Sequence, residues 1–163
     1  MDARIDTFNA FGIAVGDAHI IRNAGGNARD AYRSILISQH LLGTTEIILI
    51  KHTGCGMLTF SNEDARKVVN GHQGKEVCGP GFDFQPFGDL DAAVKGDVEW
   101  LRSSGGVVEG GVVSGWVYGV EDGKAQPQAT RLWRASASRI DSNQVAAKLE
   151  AKLASAWQAR QRA

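Results

Sequence analysis

The residues with the clearest capacity for chemistry form the segment His52-Thr53-Gly54-Cys55-Gly56, which directly follows a run of aliphatic residues. An imidazole and a thiolate are both zinc donors, and at this spacing on a glycine-rich turn both can face one ion. If the aliphatic run is a strand, the segment lies at its carboxyl end, where ligand sites of α/β sheets collect. Two ligands do not complete a zinc site, so a capped strand end with a buried thiol remains an alternative.

A second pair of functional groups stands in Met1-Asp2-Ala3-Arg4. In an extended segment alternate side chains point to the same side, so the Asp2 carboxylate and the Arg4 guanidinium can pair through two parallel hydrogen bonds. Taken on its own, this pattern is more typical of a solvated terminus than of a site.

Hydrophobic periodicity predicts the elements that would position these groups. Ile47 to Ile50 are aliphatic without interruption inside a strand predicted from Glu46 to Lys51, as expected of a strand buried on both faces of a parallel sheet. A short strand is predicted at Ala18 to Arg22, and a helix from about Asn27 to Leu42. Strand, helix and strand with short links form a βαβ unit. The fold class predicted is therefore α/β, with three layers and a mainly parallel sheet flanked by helices.

Further elements are expected downstream, with a proline- and glycine-rich loop between two of them. These are a helix capped by Ser61, an irregular loop from Cys78 to Gly88, an amphipathic helix from Asp89 to Leu101, and a last strand from Val112 to Val120 followed by a hairpin turn at Glu121 to Lys124.

The composition changes after Pro127, and Val145 to Arg160 carries one narrow apolar stripe at helical spacing. We therefore divide the chain into a main domain, residues 1–130, and a C-terminal helical extension, residues 131–163. Such a stripe is more typical of packing on the parent domain or on a second subunit than of membrane binding.

The bulk composition excludes several classes of protein. The chain has 163 residues, enough for one domain with a core, and 18 basic residues balance 18 acidic ones, which argues against a nucleic-acid partner. Apolar runs are too short for a membrane span, and the first residues lack the apolar core of a secretory signal. With Cys55 and Cys78 as the only cysteines, a reducing cytoplasm is the expected location.

Taken together, Met1-Asp2-Ala3-Arg4, Arg22-Asn23-Ala24-Gly25 and His52-Thr53-Gly54-Cys55-Gly56 resemble, in this order, the three signatures of the β-class carbonic anhydrases. The resemblance extends to Lys124. Any one of these motifs is unspecific, but the three in order are not. The resemblance implies a parallel-sheet α/β fold and a homodimer or larger assembly with active sites near the subunit interface.

The resemblance also implies zinc (Zn²⁺) held by two cysteines and one histidine, and it assigns roles by position. His52 and Cys55 match two of the ligands. Asp2 matches the aspartate that orients the attacking hydroxide or, in a closed state, binds the metal, and Arg4 matches the arginine that holds this aspartate. The backbone N–H of Gly56 is expected to polarise the substrate. The activity implied is the reversible hydration of carbon dioxide to bicarbonate.

The match departs from the family at its start. The family's first zinc cysteine stands two residues before the aspartate, a position that this sequence does not contain. Three explanations follow: a sequence clipped from a normal enzyme, a genuinely shortened relative with incomplete zinc ligation, or a substitute third ligand such as the Met1 α-amine or Cys78. A deprotonated amine would be needed, so such a site would weaken as the pH falls.

Two rival functions remain open at this stage. The first is a non-catalytic dimeric relative with weak or no zinc, which metal content would distinguish. The second is hydrolysis of another small linear molecule, such as carbon disulfide, by the same site. His19, His40 and His72 lie outside the motifs and are interpreted as surface residues or satisfied histidines.

Overall fold

The structure is a computed structural model that describes residues 1–132. The elements follow one another as a short helix, a helix, a strand, two helices and a two-stranded hairpin, with 3₁₀ turns at Ala24–Gly26 and Gly56–Leu58. In chain order they are α1 (Thr7–Phe11), α2 (Ala28–His40), β1 (Glu46–His52), α3 (Asn62–Gln73), α4 (Leu90–Ser103), β2 (Val112–Tyr118) and β3 (Ala125–Leu132).

The sheet has the order β1-β2-β3. β1 runs parallel to β2 with Glu46 opposite Val112 and His52 opposite Tyr118, and β3 pairs antiparallel with the other edge of β2. The α/β fold class predicted from the sequence is confirmed, and the described sheet is mixed rather than wholly parallel. Within residues 1–132, β1 pairs with β2 alone, so its second edge is open.

The core lies between the sheet and helices α2 and α4, and α4 packs closely on β2 at Gly115. A Cβ atom at Gly115 would overlap the Val94 and Val98 side chains, so a residue without a side chain is what allows this approach. The main buried cluster comprises Ala28, Ala31, Ile35, Leu49, Val94, Val98, Leu101, Val107, Val113 and Val117.

Local signals explain where the helices begin. The Asn27 side chain caps α2, and the Asp89 side chain accepts a hydrogen bond from the Ala92 N–H at the start of α4. At α3 the Ser61 hydroxyl and the Asp64 carboxylate each accept a hydrogen bond from the other residue's backbone, which confirms the predicted cap. Among the described residues, no helix is long and apolar enough to cross a membrane.

The strand predicted at Ala18 to Arg22 is wrong, because this segment belongs to no sheet. The segment and β1 line the same cavity, its backbone pairs with no strand among residues 1–132, and Ile20 and Ile21 are partly exposed. The same cavity changes the expectation for β1. Leu49 faces the core, but Ile48 on the opposite face is 42% exposed, so β1 is not buried on both faces.

The hairpin at Glu121 to Lys124 is confirmed, but the strand before it is not the last one. β3 follows the turn and runs to Leu132, two residues beyond the predicted domain boundary at 130. The remainder of the predicted helical extension, including Val145 to Arg160, lies outside the described residues.

Candidate metal and catalytic site

The two expected zinc ligands lie at the carboxyl end of β1, as predicted. His52 is the last residue of this strand, and Gly54, with φ of 63°, turns the chain so that Cys55 begins the 3₁₀ turn Gly56–Leu58. Cys55 is buried at 5% exposure and the His52 side chain is 14% exposed. Both residues line one cavity. A donor set of one imidazole and one thiol in a largely buried position is chemically suited to zinc.

The imidazole of His52 is oriented by the backbone. Its Nδ1 atom lies 2.9 Å from the Thr53 carbonyl oxygen, and because a carbonyl can only accept, Nδ1 carries the proton in this contact. The lone pair of neutral His52 is therefore on Nε2, the atom available to a metal. This Nε2 lies 3.7 Å from Oδ2 of Asp2.

Glu121, which the sequence analysis placed in the hairpin turn without a role in the site, anchors the same strand end. The Thr53 N–H donates to the Tyr118 carbonyl at 2.9 Å, which extends the pairing of β1 with β2. The Thr53 hydroxyl donates to Oε2 of Glu121 at 2.9 Å and accepts from the Val120 N–H. Thr53 and Glu121 therefore fix the backbone between the two candidate ligands.

The predicted pairing of Asp2 with Arg4 is confirmed. The Arg4 Nε atom lies 3.0 Å from Oδ1 of Asp2, and Nη2 lies 2.6 Å from Oδ2, so the two groups meet in the two-bond arrangement. The backbone N–H of Arg4 adds a third hydrogen bond to Oδ1, and Nη2 also approaches the Gly54 carbonyl at 3.4 Å. The pair thereby contacts the turn that carries Cys55.

Arg22, the first residue of the Arg-Asn-Ala-Gly motif, holds the initial segment in this position, a role that the sequence analysis did not assign. Its guanidinium donates to the backbone carbonyls of Asp2 at 2.5 Å and Ile5 at 2.9 Å. The initial segment thus forms part of the cavity wall, with the Asp2 carboxylate near His52. The arginine of an Arg-Asn-Ala-Gly motif close to the expected site is the sequence signal that could have indicated this contact.

Hydrogen bonds from Arg4, first from its side chain and then from its backbone, hold the pKa of Asp2 well below its usual range. We expect Asp2 to remain ionised throughout the neutral and mildly acidic range. In Arg4→Gln its pKa should rise toward about 4. Carboxyl carbon NMR titration measures this, and a wild-type Asp2 that titrates near pH 4 would contradict it.

The same shift predicts how folding stability depends on pH. Because the pKa of Asp2 is lower in the folded chain, the contribution of its pair is present above about pH 4 and is lost as the pH falls further. The loss should be smaller in Arg4→Gln. Urea unfolding of both proteins at several acidic pH values compares the two.

The site opens into a cavity of about 680 Å³. Asp2, His52, Cys55 and Gly56 all line it, together with apolar side chains from β1 and from the loop after it. The apolar part of the lining includes Ile48, Ile50, Met57, Phe60 and Trp116. The geometry therefore brings the predicted metal, positioning and substrate-binding residues to one partly apolar chamber, and His19 also lies on its wall.

Of the two substitute ligands considered, Cys78 lies elsewhere. It is buried in the loop after α3, where the Asn70 side chain pairs with its backbone N–H and carbonyl, and it does not line the cavity. The Met1 α-amine is at the cavity, donating to the Asn23 carbonyl at 2.9 Å, and burial, followed by the charge of Arg22, lowers its pKa. Within residues 1–132, no group of three His, Cys, Asp or Glu side chains is arranged to hold a metal.

Comparison with known proteins decides the family. A scan against models of protein families finds no match. The chain is 38% identical to beta-carbonic anhydrase 1 of Mycobacterium tuberculosis over 125 residues, which make up 76% of this chain and 75% of that protein. The chain belongs to the β-carbonic anhydrase family. The resemblance noted in the sequence is thereby confirmed, and the chain is assigned to a family of lyases.

Other members and solved structures agree with this assignment. The fold is similar to the carbonic anhydrase of Glaciozyma antarctica, with a TM-score of 0.73, 44% identity and coverage of 79% of this chain and 78% of that one. A carbon disulfide hydrolase of Acidithiobacillus thiooxidans is 31% identical over 153 residues, covering 81% of this chain and 75% of that protein. The relatives of this chain thus carry two different named activities.

Proposed function

We propose that this chain is a zinc-dependent carbon dioxide hydratase in which His52 and Cys55 bind the metal. The observation that carries the proposal is the placement of these two donors at the carboxyl end of β1, with the Asp2–Arg4 pair beside them on one cavity. When bound, zinc supplies the Lewis acidity that makes hydroxide available near neutral pH.

The chain's own residues have separate tasks in this proposal. Asp2, kept ionised by Arg4, accepts the hydrogen bond of the attacking water or hydroxide and so directs its lone pair. The Gly56 N–H donates to a substrate oxygen, and the apolar side chains of the cavity favour an uncharged linear substrate over water. The Nδ1–H of His52 donates to the Thr53 carbonyl, which leaves the lone pair of Nε2 available to the metal.

Two alternative functions remain, and the first follows from the small number of side chains assigned as zinc ligands. Only two side chains are assigned as ligands, whereas catalytic zinc sites usually have three, so a non-catalytic relative with weak or no zinc is the first alternative. Hydrolysis of carbon disulfide is the second, supported by the relatives that carry this name. Carbon dioxide and carbon disulfide are both small linear molecules. The residues that line the cavity would determine which of the two is accepted as substrate.

The proposal is tested with purified protein of the 163-residue sequence. We measure zinc per chain by mass spectrometry and hydration of carbon dioxide by stopped flow, with carbon disulfide as a parallel substrate. One zinc per chain with carbon dioxide hydration supports the proposal. Zinc-free protein without either activity would favour the non-catalytic alternative, and turnover of carbon disulfide alone would favour the hydrolase.

Substitution of Asp2 separates orientation from metal binding. In Asp2→Asn we expect zinc content to remain and turnover to fall by about 10- to 100-fold, the range found when groups that orient metal ligands or water are changed. Asp91→Asn, an exposed residue on α4, serves as the matched control and should leave both values unchanged. Loss of zinc from Asp2→Asn would instead make Asp2 a ligand.

We also propose that the chain forms a homodimer or larger assembly in the cytoplasm. Helix α3 has no buried residue, and Leu41, Leu42, Val68 and Phe82 are each at least 50% exposed, so a substantial apolar surface lacks cover. Cys55 and Cys78 are free, in keeping with a reducing compartment. A monodisperse monomer in light scattering at micromolar concentration would contradict the assembly.

A further inference from the structure

A buried ion pair lies one residue before His52. Lys51 is 2% exposed, and its Nζ atom is 2.9 Å from Oδ2 of Asp97 on α4, itself 8% exposed. Removing two charges from water costs free energy that a single pair rarely recovers, so buried apolar residues of similar volume would serve stability at least as well. The pair therefore requires an explanation other than stability.

The contacts of Lys51 indicate what it holds. Besides Asp97, its ammonium donates to the carbonyls of Gly25 at 2.8 Å and Gly26 at 3.3 Å, so all three of its N–H donors are used. It also lies 4.9 Å from the centre of the Phe87 ring. Gly25 and Gly26 have φ of 69° and 58°, a backbone shape that side chains rarely adopt. Lys51 thus fixes the turn Ala24–Gly26, whose last two residues are glycines with positive φ.

This turn packs directly on the loop that carries Cys55. A Cβ atom at Gly25 would lie 3.0 Å from Cγ of Met57, two residues after Cys55, and 3.1 Å from the Phe87 ring. The Phe87 N–H donates to the Met57 carbonyl at 3.2 Å. Because these groups are in close contact, we expect a shift of the turn to be transmitted to the loop.

Asp97 fixes the other side of the same turn. Its Oδ2 atom, besides meeting Lys51, accepts a hydrogen bond from the Ala28 N–H at the start of α2, 3.3 Å away. The turn Ala24–Gly26 is therefore held between β1, α4 and the beginning of α2, and its inner face lines the cavity.

We propose that Lys51 is a positioning residue for the candidate metal site, acting with Asp97 through the turn Ala24–Gly26 to set where Cys55 stands relative to His52. This inference rests on the proposed assignment of His52 and Cys55 as metal ligands. Lys51 itself contacts neither metal nor substrate in this scheme. Its effect is to keep the two donors at the separation that one ion requires.

The test uses a variant from which both charges are removed. Lys51→Met alone leaves the Asp97 carboxylate buried without a positive charge beside it, whereas Lys51→Met with Asp97→Asn removes both charges and keeps an acceptor for the Ala28 N–H. We expect the double variant to fold, to bind Co²⁺ about 10- to 100-fold more weakly than the wild type, and to show an altered visible absorption spectrum of the bound Co²⁺. Lys67→Met, which breaks the exposed Lys67–Glu63 pair on α3, is the control and should change neither.

If Lys51 and Asp97 served folding alone, the Co²⁺ affinity and spectrum of the double variant would not change. If the double variant folds and its Co²⁺ affinity and spectrum match the wild type, the proposal is overturned. Should the double variant not fold, Lys51→Arg keeps the charge but presents a planar group that cannot reproduce the three contacts of an ammonium. Its Co²⁺ spectrum should also be altered, and an unchanged spectrum would overturn the proposal.

Failure of the proposed function gives a separate signature. Wild-type protein that binds Co²⁺ without hydrating carbon dioxide would refute the hydratase and leave the spectral comparison intact. If the wild type binds no Co²⁺, the positioning role is tested by comparing the backbone amide NMR shifts of the metal-free wild type and the Lys51 variant. Shifts at Gly25 that extend to Cys55 and Met57 support the positioning role, and shifts confined to Gly25 overturn it.

Discussion

Replacing Cys55 with serine is expected to remove bound zinc and to reduce carbon dioxide hydration to the level of metal-free protein. A serine hydroxyl is a much poorer zinc donor than a thiolate, and His52 would remain as the only assigned ligand. Zinc per chain by mass spectrometry and the stopped-flow hydration rate check this result. Full zinc occupancy in Cys55→Ser would show that the metal binds elsewhere.

Cys78→Ser is the matched control for this experiment. Cys78 is buried to a similar degree, at 7% exposure against 5%, but its loop is held by Asn70 and does not line the cavity. We expect zinc and activity to persist, with a loss of about 1–3 kcal/mol in the free energy of unfolding from the buried hydroxyl. Loss of zinc from Cys78→Ser would identify it as the substitute ligand.

The second large effect is expected at Gly26. An alanine there would have to adopt φ of 58°, which costs about 1–2 kcal/mol, and its Cβ would lie 2.6 Å from the carbonyl oxygen of Ile50 in β1. A backbone atom of a strand cannot move aside cheaply, so overpacking should add about 1–3 kcal/mol. Urea unfolding of Gly26→Ala measures the sum.

Gly43→Ala is a control that separates the cost of the positive φ from the cost of the contact with Ile50. Its φ of 75° is equally unfavourable for alanine, but no atom lies within 4 Å of the added Cβ. Gly43→Ala should therefore cost only the conformational part, about 1–2 kcal/mol. Equal losses in the two variants would show that the contact with Ile50 relaxes and that the turn is not pressed against β1.

Local sequence signals were sufficient for the elements whose causes are local. The cap at Ser61, the aliphatic run of β1 and the turn at Glu121 to Lys124 each depend on a few neighbouring residues, and all three were predicted. The same holds for the Asp2–Arg4 pair, since alternate residues of an extended segment share a side.

The errors concern pairing between distant segments. An apolar run such as Ala18 to Arg22 indicates that a strand is compatible with the residues but not that a partner lies beside it. The Lys51–Asp97 pair and the Thr53–Glu121 hydrogen bond were missed for a related reason, because both join residues far apart in the sequence. A lysine that directly follows an aliphatic run, as Lys51 does, also gives no local sign of being buried.

The two outer strands of the described sheet, β1 and β3, differ in how readily another strand could add to them. β3 carries Pro127, which has no N–H to donate, and the register of its pairing with β2 shifts between Gly115 and Trp116; both features discourage the addition of another chain. β1 has no proline, Ile48 on it is partly exposed, and within residues 1–132 no strand pairs with its edge away from β2. Among the described strands, β1 is therefore the edge at which a further strand is able to pair, and β3 is the edge that resists one.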